Sequence, residues 1–306
     1  MNDTLAGLMN ESFEKHADRT GIRVLRASGG KGEGLQYVPI SYAQLREQRD
    51  RLASGIAGIG IEKGARLGIL TDGGLEPVLI FLAADLLGCS SVPLCNKHPD
   101  DILLHSINDS RIEVLFADAK SVDQMERVRD RLTHSPRIIL TEGRSEDTLS
   151  FFDLVNSGRG TEPPKVELHP DDESKVVYTS GSSGPPKGVV QTQGNIVANV
   201  RSVWDAISMR DPCILFKSAP DYHTMGILNI YYPLAKGWIL DLARSPERVL
   251  TDIRHSQPHA FLTVPLVLDK VYGNVRKEID AGGFKGGLVA RSVRAKQRRS
   301  RKEASL

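Results

Sequence analysis

The stretch "YTSGSSGPPKGVV", Tyr178 to Val190, decides how this chain reads. Thr179 to Gly184 is an unbroken run of small hydroxyl and glycine residues, closed by Pro185, Pro186 and Lys187. An apolar run, "KVVY", precedes it and "GVVQT" follows, so the loop joins two strands. Backbone N–H groups and short hydroxyls in such a loop can wrap an anion, because glycine lets the backbone approach closely and form nests. Lys187 adds a point charge for a phosphate oxygen, and the two prolines stiffen the turn before it. A generic Ser-Gly turn exposed to solvent is the bland alternative, but the flanking strands and the Pro-Pro-Lys-Gly ending favour a phosphate loop. It is not a Walker A loop, which needs GxxxxGK[ST] opening a helix, whereas here Lys187 leads into a strand.

Outward from the loop the chain alternates. Leu5, Leu8, Met9 and Phe13 fall at helical spacing near the start, and Ser41 caps a helix from about Tyr42 to Gly58. "ARLGILT" reads as a strand, Pro77 to Leu87 as a helix ended by Gly88, and "SSVPL" as the next strand. "DDILLHSINDS", "IEVLFAD", "SVDQMERVRDRL" and "RIILT" continue the rhythm. Residues 142–172 are polar, with one short apolar piece, "LSFFDLV", and read as a surface connection. The second half repeats the pattern: Ile196, Val197, Val200, Val203, Trp204 and Ile207 form one helical face. "CILFKSAP", "GILNIYYPLAKG", "WILDLA", "PERVLTDIRHS" and "AFLTVP" then alternate strand and helix. This rhythm predicts an α/β fold of stacked mixed or parallel sheets with flanking helices. We expect a first α/β subdomain over 1–170, a second with the phosphate loop over 171–283, and a basic tail over 284–306.

Composition sets limits on function. The 306 residues are 40% hydrophobic and 25% charged, ordinary for a globular chain with a substantial core. Three cysteines, Cys89, Cys95 and Cys213, form no CxxC pair, which argues against a disulfide framework or cysteine zinc site and for a reducing compartment. His98, His105, His134, His169, His255 and His259 show no paired metal-ligand spacing and read as surface or structural, so no metal ligand is assigned. The N-terminus lacks a signal-peptide core, and the apolar stretch 78–94 is broken by Asp85 and two serines. A cytoplasmic location is expected. From Lys285 onward eight basic residues stand against one acid, while the chain nets +2. That tail has no aromatic residue past Phe284 to stack on bases, so no specific nucleic acid partner and at most peripheral membrane contact are expected.

"YTSGSSGPPKG" resembles the signature [YF]TSG[ST]TGxPKG of the adenylate-forming superfamily, the AMP-dependent synthetases and ligases, with Ser183 at a position where threonine is usual. Further segments are similar in order and spacing. "ISYAQLREQRDRLASGI", "FLAADLLGCSSVPLCNKHPDDILLHSINDSRIEVLFAD", "KGVVQTQGNIVANV" (Gln193 replacing a usual histidine) and "APDYHTMGILNIYYPLAKG" all match family patterns. "VPLVLDKVYGNV" is most similar to the long-chain acyl-CoA synthetases, and the resemblance covers roughly residues 8–280. It implies a carboxylic acid substrate, ATP with Mg2+, and coenzyme A as co-substrate. Thr179, Ser180, Ser182, Ser183 and Lys187 would bind phosphate, Gly181 and Gly184 would permit close backbone approach, and His223 would sit beside the carboxylate pocket as the catalytic candidate.

The family's later motifs are not found after Gly283: the aromatic-Gly-x-Thr-Glu stretch, the ribose aspartate, the hinge and the catalytic lysine. The expectation is therefore the N-terminal portion of an acyl-CoA synthetase, lacking full activity alone. A truncated gene product, one piece of a split synthetase with a separately encoded C-terminal part, and a shortened binding protein all stay open. So does a fragment of an amino-acid or aryl-acid adenylation domain.

Overall fold

Helix formation in this chain follows its caps and its apolar spacing. In the computed structural model, which describes residues 3–27, 34–143, 148–179, 184–263, 265–281, 287 and 291–292, Leu5–Lys15 forms α1. The Thr4 hydroxyl accepts the Gly7 N–H at its start, and Leu5, Leu8, Met9 and Phe13 are buried. Ser41 opens α2 (Tyr42–Gly58) with a reciprocal capping box to Gln44, which satisfies two otherwise orphaned backbone donors. Leu75–Leu87 (α3) is apolar on nearly every side, as a helix enclosed by other elements must be. The remaining helices are α4 (Asp100–Ser110), α5 (Ala119–Val128), α6 (Phe151–Ser157), α7 (Gln193–Ala206), α8 (Thr224–Lys236), α9 (Val249–Ser256) and α10 (Pro265–Asp280).

Eleven strands separate these helices among the described residues. They are β1 (Thr20–Ala27), β2 (Leu35–Ser41), β3 (Arg66–Leu70), β4 (Ser90–Pro93), β5 (Val114–Ala117), β6 (Arg137–Leu140), β7 (Glu173–Thr179), β8 (Lys187–Thr192), β9 (Ile214–Lys217), β10 (Ile239–Leu242) and β11 (Ala260–Leu262). One sheet has the order β11-β9-β10-β1-β2 and the other β6-β5-β3-β4-β7-β8. Both are parallel except at one edge, where β2 and β8 run antiparallel to β1 and β7. The fold is thus α/β with mixed, largely parallel sheets and flanking helices. Each sheet draws strands from both halves of the chain: β1 pairs with β10, and β4 with β7.

The main core gathers residues of α1, α2, α3, α7 and α8 with inward residues of both sheets. A second cluster, including Leu103, Ile107, Leu115 and Met125, lies under α4 and α5. The stretch read as a surface connection is more structured than its composition suggests. Phe151–Ser157 is a helix, capped by Ser150, with Leu154 buried in the main core. A seven-residue helix carries too little periodicity to announce itself, and its packing on α2 comes from a distant segment.

Polar groups are also buried in this core. Asp85 on α3 and Lys175 on β7 are 1% and 0% exposed and ion-paired at 2.5 Å. The same carboxylate accepts from Ser174 Oγ at 2.8 Å and from the Tyr231 hydroxyl. Gln193 at the start of α7 donates to the Asp85 carbonyl and accepts the Leu5 N–H at 3.0 Å. Complete burial pulls the Lys175 ammonium below the usual lysine pKa, against the opposing pull of Asp85.

Contacts divide the chain into two units, Met1–Leu262 and Thr263–Leu306, the described part of the second being mainly α10. Among the described residues no helix is long and apolar enough to cross a membrane.

Candidate phosphate and acyl site

The β7–β8 hairpin presents the loop. Its antiparallel register sets Tyr178 opposite Gly188 and Thr179 opposite Lys187, so the first hydroxyl and the terminal lysine meet at the hairpin mouth. Thr179 and Lys187 are exposed there, and Thr179 Oγ1 lies 3.4 Å from the Lys187 carbonyl. Gly184 has φ +104°, a conformation open to glycine and costly for other residues. Ser180, Gly181, Ser182 and Ser183 lie outside the described residues.

Both ends of the hairpin are tied to α4. The Tyr178 hydroxyl donates to Asp109 at 2.6 Å, and burial with that carboxylate raises the Tyr178 pKa. His105 Nε2 donates to the Pro186 carbonyl at 2.9 Å, and its ring stands edge-on to Tyr178. Further down β7, Lys175 fixes the strand in the core through Asp85.

His223 approaches from the other sheet. It follows β9 and caps α8, and its carbonyl accepts the Gly226 N–H at 2.8 Å. The turn before it is held by Lys217, the last residue of β9. Lys217 Nζ lies 2.6 Å from the Asp221 carboxylate and 3.2 Å from the Ala219 carbonyl, with Lys217 and Asp221 8% and 7% exposed. Gly226 has no room for a side chain, since a Cβ there would stand 1.9 Å from the Pro220 carbonyl oxygen.

These elements enclose a cavity of about 250 Å3. Thr179 from the hairpin, His223 and Thr224 from the β9–α8 connection, and Cys95 and His98 from beyond β4 line it together. Tyr222 also lines it, its ring 4.6 Å from His223 and 6.1 Å from His98. Burial and then the neighbouring His223 lower the His98 pKa, so its ring favours the neutral form. Burial, and next a hydrogen bond with Cys95, push the Tyr222 hydroxyl up to about 12.

The structure therefore brings Thr179 and His223 to one cavity and places Gly184 and Lys187 at its hairpin. It also adds residues that the sequence reading left aside. His98 and His105, read as surface or structural, stand at the cavity rim and on the loop exit. Cys95 and Tyr222 line the cavity floor. The only sequence signal for Tyr222 is its place beside His223 in "PDYHTMG". No group of three His, Cys, Asp or Glu side chains among the described residues forms a cage for a metal ion.

Comparison with known proteins gives this geometry its context. The family model described as AMP-binding enzyme matches residues 11–301. The peroxisomal long chain acyl-CoA synthetase 6 of Arabidopsis thaliana is 25% identical over 293 residues, covering 90% of this chain and 41% of that protein. The acyl-CoA ligase sidI of Beauveria bassiana is 26% identical over 253 residues, covering 76% of this chain and 42% of that protein. The chain thus spans about two-fifths of the length of these relatives. Among solved structures, the A domain of a carboxylic acid reductase from Segniliparus rugosus, in complex with AMP and a co-purified carboxylic acid, superposes with a TM-score of 0.79 at 18% identity. That match covers 94% of this chain and 53% of the solved one. With the family model matching most of its length, this chain belongs to the AMP-binding enzymes, the adenylate-forming superfamily.

Proposed function

We propose that this chain is the phosphate-binding, N-terminal portion of an ATP-dependent acyl-CoA synthetase. The observation that carries the reading is convergence: Thr179 of the signature loop and His223 of the second motif, distant in sequence, the one ending a strand of one sheet and the other following a strand of the other sheet, line one cavity. The acyl-CoA ligases among its relatives support the choice of reaction class.

In this reading the loop from Thr179 to Lys187 receives the triphosphate of ATP. Hydroxyls and backbone N–H groups of 179–184 donate to the phosphate oxygens, and Lys187 offsets charge on the leaving pyrophosphate. The substrate carboxylate, held near His223, attacks the α-phosphorus, giving an acyl-adenylate and pyrophosphate. The thiol of coenzyme A then displaces AMP to form the thioester. In the adenylation step side chains position and neutralise charge and make no covalent bond, as in phosphoryl transfer generally. Among the described residues no group of three His, Cys, Asp or Glu side chains could cage a metal ion; Mg2+ is usually bound by one or two carboxylates together with substrate phosphates, and no step is routed through it.

Residues for adenine, ribose and the later catalytic lysine belong, in this reading, to a further part, carried by a separately encoded polypeptide or a longer form. The test is ATP–pyrophosphate exchange with fatty, short-chain and aromatic acids. The chain alone should support little exchange, and adding the missing portion of a related synthetase should raise it. Robust exchange by the isolated chain would overturn the claim that it needs that part.

A further inference from the structure

Cys95 is placed differently from the other two cysteines. Cys89 and Cys213 are fully enclosed, and burial pushes the Cys89 thiol up to about 12. Cys95 is 5% exposed and lines the cavity that also holds Thr179 and His223. It sits two residues past β4, in a turn whose Cys95 carbonyl accepts the His98 N–H at 3.2 Å. That turn brings His98 to the same cavity, where the Tyr222 ring packs against both His98 and His223. The Cys95 thiol lies close enough to the Tyr222 hydroxyl to help raise its pKa. A thiol, an imidazole and a phenol thus converge on the place where the proposed reaction leaves its activated acyl group. Nucleophile, base and an orienting third group within one cavity are the usual parts of covalent acyl transfer.

We propose that Cys95 is an internal acyl acceptor: it takes the acyl group from an acyl-adenylate in the cavity and holds it as a thioester. The His98 imidazole accepts the thiol proton, and the sulfur attacks the acyl carbonyl carbon. The tetrahedral adduct collapses by breaking the carbonyl carbon–oxygen bond to the phosphate, which leaves with its electron pair as AMP. His98 returns its proton to water. One S–C bond forms, one O–C bond breaks, and nothing is oxidised or reduced. The ligand class is an acyl-AMP mixed anhydride, and its origin rests on the function proposed above.

The experiment supplies that ligand ready-made. The full chain is incubated with synthetic dodecanoyl-AMP, and the products are followed by intact mass, peptide mapping and AMP release. We expect one hydroxylamine-labile dodecanoyl group per chain, on Cys95, with equimolar AMP. Cys89→Ser and Cys213→Ser should label normally and Cys95→Ser should not. His98→Gln, which keeps the thiol, should label roughly 100-fold more slowly, the lower range for loss of a general base. Label spread evenly over the three cysteines, or a rate equal to that of the urea-unfolded chain, overturns the proposal. So does an unchanged rate in His98→Gln together with labelling of Cys95→Ser. ATP–pyrophosphate exchange is measured in parallel. Exchange is read with the missing portion of a related synthetase added: labelling without that exchange sustains this inference and counts against the synthetase reading, and exchange without labelling does the reverse.

Discussion

Replacing Asp85 with alanine should be among the most damaging single changes in this chain. Asp85 is 1% exposed and is the counter-ion of Lys175, which is 0% exposed, at 2.5 Å. It also accepts from Ser174 Oγ and the Tyr231 hydroxyl, both buried. Removing one partner of a buried pair strands the other charge, which costs about 3–5 kcal/mol. The two orphaned hydroxyl donors belong to the same network, so their loss is not simply additive. Stranding also has a pH signature. With its counter-ion gone, the folded-state pKa of Lys175, already lowered by burial, falls further. Between that value and the unfolded lysine value of about 10.4 the unfolded state binds more protons, so the variant gains stability as pH rises. Urea unfolding followed by circular dichroism at pH 7 and pH 9.5 measures both effects. The double variant Asp85→Leu/Lys175→Met removes both charges and should recover most of the loss, since apolar replacement of a buried pair is often neutral or better. A loss below about 1 kcal/mol in Asp85→Ala, or a double variant no better than the single, would refute the reasoning. Because Lys175 anchors the strand that delivers Thr179, Asp85→Ala should also weaken phosphate binding.

Three further outcomes follow from the same structure. Gly226→Ala forces a Cβ to within 1.9 Å of the Pro220 carbonyl oxygen, so the Pro220–His223 turn must move. Thermal unfolding should show a loss of about 1–3 kcal/mol, typical of overpacking. Asp252 is fully buried opposite Arg244; burial raises its pKa, but the Arg244 side chain and backbone together outweigh it and lower the value. Its contribution to stability is therefore present above the unfolded value of about 3.9 and lost as pH falls through the folded one. Acid unfolding of Asp252→Asn should show a flatter pH dependence, and an unchanged acid limb would sink this assignment. His105→Phe keeps the ring against Tyr178 but removes the bond to Pro186. Its pyrophosphate affinity, measured by calorimetry, should fall by less than that of Lys187→Ala, because it touches the loop only through its exit.

Much of the fold is legible in the sequence because it is local. Ser41 with Gln44 spells a capping box, and Leu5, Leu8, Met9 and Phe13 mark a buried helical face. The α/β alternation is visible for the same reason. Sheet membership is not, since β1 finds its partner in β10, and neither strand carries a mark naming the other. The buried pair left half a signal: Asp85 interrupts an otherwise apolar helix, which hints at a partner without saying that it is Lys175. The candidate phosphate loop and His223 stand out in the sequence because their motifs are contiguous. Cys95, His98 and Tyr222 do not, because their meaning lies in sharing a cavity with His223, and lone residues of these types are usually structural.

The central claim is that the loop from Thr179 to Lys187 holds a triphosphate. Calorimetric titration of the wild-type chain and of Lys187→Ala with MgATP, and separately with magnesium pyrophosphate, tests it most directly. The account predicts saturable one-site binding by the wild type and a loss of at least tenfold, about 1.4 kcal/mol, in Lys187→Ala with unchanged thermal stability. Equal affinity in the two proteins, or no binding of either ligand by the wild type, would contradict it.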